Sequence, residues 1–542
     1  MRKPMPRLAV AMAGLVVSTM ALAGTPLRVQ LPADAPAASG RLLVNIQPAA
    51  DAEQAAREGK VTQVRISPWG GATGTLAGME VPRLAPGQPL VVDADTHAWP
   101  AGLSQLPAGD YYVQAVLDTG RDNGYGDAGN DIASQPVKLR LGPGADLPVL
   151  VLDQRSQRSD DPWAIPAEGP PQLLERVRGA LADARADIRR LDFVSPALSA
   201  FWGRPVHMLG WIVLPPGYSK GNARYPVVYS THGFGGSSRS ALGAVNAWAD
   251  MRDGLTPPMI RVQLDQSTAT GTHEFADSVN NGPWGTALVE ELIPTLERDY
   301  RMDGRPSGRL LTGHSSGGWA ALWLQVRYPE VFGGAWPTAP DASDFREFTN
   351  LDIYAPNANA YRRADGTATP LVRRGGKDVA SFEQFTRLED VTAPYGGQFA
   401  SFDWVFSPRG PDGRPQPLFD RQTGVVDPQV AAYWREHYDI AHRIRTRGAT
   451  LKPRLDGKVH LVVGTQDTFY LDRAARLLKQ AFDGAGIRAD FRFVPGRDHG
   501  DLFKLGENPM ALSRTLAWEM YQVARPGAKM PDDLPRFAVE AP

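Results

Sequence analysis

From Phe201 onward, strand-length apolar runs alternate with helix-length amphipathic ones, and few architectures can bury both. "MLGWIVL", "YPVVYS", "MIRVQL", "GRLLTG", "GGAWPT" and "KVHLVVG" are short, apolar and rich in residues that favour strands. Between them, "TALVEELIPTLERDY", "GWAALWLQVRY" and "LDRAARLLKQAF" repeat their apolar residues at helical spacing. Strands that are apolar along their whole length must be covered on both faces. The expected fold class is therefore α/β: a mostly parallel sheet with helices on both faces, spanning about residues 195–525.

Residues 27–153 read differently. "RLLVNI", "VTQVRI", "YYVQAVL" and "VKLRL" are separated by Pro, Gly, Asp and Asn, the pattern of an all-β, sandwich-like domain with frequent turns. At 542 residues the chain is long enough for two cores. A Pro-rich passage, "DDPWAIPAEGPPQ", and the helical pattern of "LLERVRGALADARADIRRL" form the expected linker and connecting helix over 154–194. Residues 526–542 are expected as a C-terminal tail. Within the β-rich part, "DTGRDNGYGDAGND" gathers Asp118, Asp122, Asp127, Asn130 and Asp131. Their spacing misses the EF-hand pattern, so a solvated turn is expected in preference to a calcium site.

Arg2, Lys3 and Arg7 precede an apolar run from Leu8 to about Ala23 that closes on Ala21-Leu22-Ala23. This is the layout of a secretory signal peptide over residues 1–23, and it implies a periplasmic or secreted product. No later run is apolar enough for stable membrane insertion. The absence of cysteine excludes disulfides, thiolate metal sites and a cysteine nucleophile. The near balance of 58 basic and 59 acidic residues gives no reason to expect a nucleic-acid partner.

Gly313-His314-Ser315-Ser316-Gly317 fits G-x-S-x-G at a strand-to-helix junction, the setting of a nucleophile elbow. Glycines flank the serine because a sharp turn there leaves no room for side chains. Ser315 holds the central position and Ser316 is the competing nucleophile. A serine hydroxyl needs a base, and His499 follows the last apparent strand in a Gly-flanked loop; Asp467, just past "KVHLVVG", is the expected acid, with Asp472 in reserve. His314 is expected to face away from the serine. Upstream, "YPVVYSTHGFGG" ends a strand in a Gly-rich loop whose Phe234 N–H, with that of Ser316, could hold an oxyanion.

The chain order Ser315, Asp467, His499 is that of α/β-hydrolases. Together with "LPPGYSKGNARYPVVYSTHGFGG" and "GHSSGG", it resembles the esterase D superfamily, which includes feruloyl, acetylxylan and enterochelin esterases, S-formylglutathione hydrolases and mycolyl transferases. The likeness covers about residues 195–525. It implies an α/β-hydrolase fold and serine-dependent hydrolysis of a small-molecule or carbohydrate-linked ester, with neither metal nor organic cofactor. An acyltransferase, a serine peptidase and a non-catalytic binding protein are the alternative readings. Unlike compact members, this chain carries an aromatic-rich insertion at 340–420, either a cap over the site or an extension of the core. Trp284, in "HEFADSVNNGPWG", is a further candidate for substrate contact.

Overall fold

The computed structural model describes residues 26–540 apart from 58, 70–72, 121–130, 143, 156–158, 167–168 and 170. The expected signal peptide and most of the Asp/Asn-rich loop, including Asp122, Asp127 and Asn130, lie outside the described residues.

The larger part is built on an eight-stranded sheet. Its strands are β1 (Ile188–Val194), β2 (His207–Val213), β3 (Val227–Thr231), β4 (Ile260–Leu264), β5 (Arg309–His314), β6 (Gly334–Thr338), β7 (His460–Gly464) and β8 (Asp490–Val494). Their spatial order is β1-β2-β4-β3-β5-β6-β7-β8. β1 and β2 pair antiparallel and β2 is antiparallel to β4, whereas β4 through β8 run parallel. Successive residues of β5 feed opposite faces: Leu310 joins one core cluster and Leu311 the other. The helix Ser316–Arg327 that follows β5 is buried on all sides from Ser316 to Val326. Such a helix belongs to a sheet covered on both faces.

The sheet begins earlier in the chain than its sequence pattern suggested. The helix Pro171–Ala184 occupies the first part of the expected connecting helix, but "IRRLDFV" is the edge strand β1. Its buried Ile188 and Leu191 are three apart, which imitates helical spacing, while Arg189 and Arg190 are exposed at the sheet edge.

Upstream, nine strands form one hydrogen-bonded set, with Gly109–Asp118 and Ala38–Pro48 at its centre. The set folds over a single core, because Val29, Leu150 and Leu152 near one end share a cluster with Leu42, Val44, Ile46, Val113 and Leu117. This β-rich region packs against the helix Phe382–Thr392 of the insertion. Arg41 donates from Nε to the Val391 carbonyl at 2.6 Å, and Ile66 and Leu76 meet Leu388 and Val391 in a small apolar cluster. A Cβ on Gly78 would lie 2.7 Å from the Val391 oxygen, so glycine permits this close approach.

The insertion is mainly core. Phe345, Phe348, Phe382, Phe385, Phe399, Phe402, Phe406 and Phe419 are buried in the same cluster as Leu461 and Val462 of β7. Most of their ring pairs meet edge-on or tilted at 4.7–6.1 Å, as in the Phe382–Phe399 and Phe399–Phe402 pairs, while Phe402 and Phe406 stack at 5.9 Å.

Candidate active site

β5 delivers Ser315 at the carboxyl edge of the sheet with φ 59° and ψ −126°, a conformation that L residues rarely adopt. The surrounding atoms explain the glycines. A Cβ on Gly313 would stand 2.1 Å from the Gly317 oxygen, and one on Gly317 would stand 2.4 Å from the Thr231 oxygen at the end of β3. Main-chain bonds hold the turn: Ser315 N–H donates to Thr338 O at 3.1 Å, and Asp341 N–H donates to Ser315 O at 3.2 Å.

β3 and β5 are neighbours in register, Thr231 opposite Gly313, so the loop after β3 comes to lie beside the serine. A Cβ on Gly233 would be 3.2 Å from Ser315 Cβ and 3.8 Å from its Oγ. This is where a loop offering N–H groups to an oxyanion must run. Asp265, just past β4, anchors the loop. It accepts from Ser238 N (2.8 Å) and Oγ (2.6 Å) and from Ser267 N (2.8 Å) and Oγ (2.6 Å), and it faces His232 Nε2 at 3.0 Å. Burial works against the Asp265 charge, but these bonds outweigh it and hold its carboxyl well below the usual range.

His499 and Asp467 meet at the far side of the site. The loops after β7 and β8, parallel neighbours, bring His499 Nδ1 to 2.7 Å from Asp467 Oδ2. The other Asp467 oxygen accepts from the N–H groups of Phe469 (2.9 Å) and Leu471 (3.2 Å), and the side chain is wholly buried. Burial alone would raise the Asp467 pKa, but His499 and the two N–H groups hold it below the ordinary value. For His499, burial opposes the charged form; the Asp467 carboxylate outweighs that and raises the imidazole above 6.5. With Nδ1 committed to Asp467, Nε2 is the nitrogen left for proton exchange.

The reserve acid goes elsewhere: Asp472 forms an ion pair with Arg373 at 2.8 Å. Ser316 is fully buried, and its hydroxyl donates to Asp341 Oδ2 at 2.6 Å. His314 Nδ1 faces Thr338 Oγ1 at 3.1 Å and its ring lies 4.3 Å from that of His499; burial pushes its pKa down to about 3, so it is neutral. One expectation is corrected. Trp284 is not exposed to a substrate. It stacks on His273 at 3.7 Å, donates from Nε1 to Asn281 O at 3.0 Å and is buried in the core, because an Asn/Gly-rich loop folds over it.

Sequence reasoning missed Asp341. It is buried just past β6, and its Oδ1 accepts from Ser315 Oγ at 3.3 Å. Burial pushes its carboxyl up to about 6. Glu274, also fully buried, is raised well above the ordinary carboxylate range by burial and by Asp341. The available signal was positional: Asp265 directly follows β4, and Asp341 and Asp467 each stand three residues past the end of β6 and β7.

The family model described as "Putative esterase" matches residues 206–500, more than half of the chain. An endo-1,4-beta-xylanase/feruloyl esterase of Xylanibacter ruminicola is 29% identical over 22% of this chain and 18% of its own length. An esterase of Mycobacterium tuberculosis is 30% identical over 26% of this chain and 32% of its own. The chain thus spans only about a fifth to a third of the length of these curated relatives. Among solved structures, a ferulic acid esterase aligns at 14% identity and a TM-score of 0.37, covering 62% of this chain and 97% of that one. An S-formylglutathione hydrolase from Agrobacterium tumefaciens aligns at 16% and 0.36, covering 62% and 94%. On the extent of the family match, the chain belongs to the Esterase family.

Proposed function

We propose that the protein hydrolyses carboxylic esters through an acyl-enzyme on Ser315. The observation that carries this reading is the Asp467–His499 pair at 2.7 Å, on the same sheet edge as a serine held at φ 59°. In the proposed cycle Ser315 Oγ attacks the acyl carbon while His499 Nε2 takes its proton. The N–H groups of Ser316, at a helix N-terminus, and of Phe234 stabilise the oxyanion. His499 then gives its proton to the departing alcohol. Water, deprotonated by the same nitrogen, releases the acid and restores Ser315. Asp467 keeps the imidazole in the productive tautomer and stabilises its charged form.

The proposed substrate is a small-molecule or carbohydrate-linked ester met outside the cytoplasm. The feruloyl esterase relative and the secretory character of residues 1–23 support this. The test is hydrolysis of p-nitrophenyl acetate alongside labelling with a fluorophosphonate. Ser315→Ala is expected to abolish both, whereas a variant that retains turnover would refute the assignment. Free acid as the product, and not an acylated acceptor, separates hydrolysis from acyl transfer.

A further inference from the structure

The β-rich region places Trp69 beside the site. The Trp69 ring packs edge-on against Phe385 at 4.9 Å and Phe469 at 5.4 Å, and Phe469 lies edge-on to His499 at 4.9 Å. Trp69 also lines a crevice with Asp341, Phe348, Phe385, Phe402 and Phe469. Since Asp341 accepts from Ser315 Oγ, the crevice extends from the nucleophile's carboxylate neighbour to an indole supplied by another part of the chain. Its free volume is about 20 Å³, room for one water-sized or methyl-sized group. Phe348, Phe385 and Phe402 are buried at 2%, 1% and 3% exposure, so those walls are packed.

We propose that Trp69 is a specificity-determining residue that closes the acyl crevice, restricting the enzyme to short acyl groups, acetyl above all. This rests on the acyl-enzyme reading given above. In that cycle the alcohol must depart to solvent while the acyl group stays on Ser315 until water arrives. A crevice enclosed by packed rings suits the part that stays. Each methylene beyond the free volume must push those rings aside, a cost that reads as about tenfold or more in kcat/KM. Trp69 is the wall that comes from outside the hydrolase sheet, and it packs against the rim of that core while only partly buried, so its replacement enlarges the crevice and leaves the fully buried rings in place.

The experiment uses the full chain and measures kcat/KM for p-nitrophenyl acetate, butyrate and hexanoate in wild type, Trp69→Ala and Trp69→Phe. The wild type is expected to favour acetate over butyrate, two methylenes longer, by about 100-fold or more, and acetate over hexanoate by still more. Trp69→Ala should raise the butyrate-to-acetate ratio by about tenfold, with Trp69→Phe between the two. Trp69→Phe keeps an aromatic ring in place and so decides the matter if the alanine variant does not fold. A ratio unmoved by either substitution, or a wild type that prefers hexanoate, overturns the proposal. A wild type inactive on every ester, or activity that survives Ser315→Ala, refutes the acyl-enzyme reading instead.

Discussion

Replacing Asp467 by Asn probes the least redundant contact in the site. The carboxylate accepts from His499 Nδ1 at 2.7 Å and from two backbone N–H groups, at 2.9 and 3.2 Å. An amide of the same shape can keep the backbone bonds with its oxygen, but it then turns an NH₂ toward Nδ1. The imidazole must accept there, which moves its proton to Nε2 and leaves no lone pair for Ser315. The expected loss is about 10⁴ in kcat, or about 5.4 kcal/mol of transition-state stabilisation. The same substitution removes the charge that holds the His499 pKa above 6.5, so the residual activity should rise with pH over a lower range than in wild type. Steady-state kinetics from pH 5 to 9 on p-nitrophenyl acetate measure both effects. Asp472→Asn is the control: it breaks an ion pair with Arg373 and touches no proposed reacting group, so kcat should change by less than about tenfold. Comparable losses in the two variants, or a larger loss in Asp472→Asn, would refute the assignment of the acid.

Asp265→Ala should lower kcat by about 10²–10³ by releasing the loop that carries the Phe234 N–H, with KM less affected. Asp341→Asn removes a negative neighbour that raises the His499 pKa, so the ascending limb of the kcat/KM profile should move to lower pH. The Asp341 carboxyl lies at about 6 in the fold against 3.8 when unperturbed, so the folded state binds the extra proton. Wild-type stability should therefore fall relative to Asp341→Asn as pH rises from about 4 to about 6, which thermal melts at the two pH values will show. Gly313→Ala places a Cβ 2.1 Å from the Gly317 oxygen and should give insoluble or strongly destabilised protein on expression. A chain beginning at Pro171 retains the sheet but uncovers Leu388 and Val391 and loses the Arg41 bond to the Val391 carbonyl. It should melt below the full chain by differential scanning calorimetry, and an unchanged melting temperature would show that the two parts do not support each other.

What could be read in advance was set by local backbone physics. Gly313 and Gly317 are required by atoms within a few residues or on the adjoining strand, so the elbow is visible in a pentapeptide. Asp467 and His499 each follow a strand end, and parallel strands bring such ends to one edge. Asp341 escaped notice because its contact with Ser315 depends on how the chain turns after β6, and in sequence "APDASD" is an ordinary polar loop. Trp284 was misplaced for the converse reason. Its Asn/Gly-rich setting suggested exposure, while its stacking on His273 is a tertiary fact that no local pattern carries. The insertion left cap and core equally open, because aromatic content alone does not say which face the rings bury. Trp69 was out of reach, since it meets Phe385 and Phe469 across more than 300 residues of chain.

The acyl-enzyme itself can be seen. Rapid acid quench of the full chain during turnover of p-nitrophenyl acetate, followed by intact mass and peptide mapping, should show one added acetyl group on Ser315, and that group should be absent from Ser315→Ala. An acetyl group on Ser316, or sustained ester turnover with Ser315 unmodified and dispensable, would contradict the mechanism.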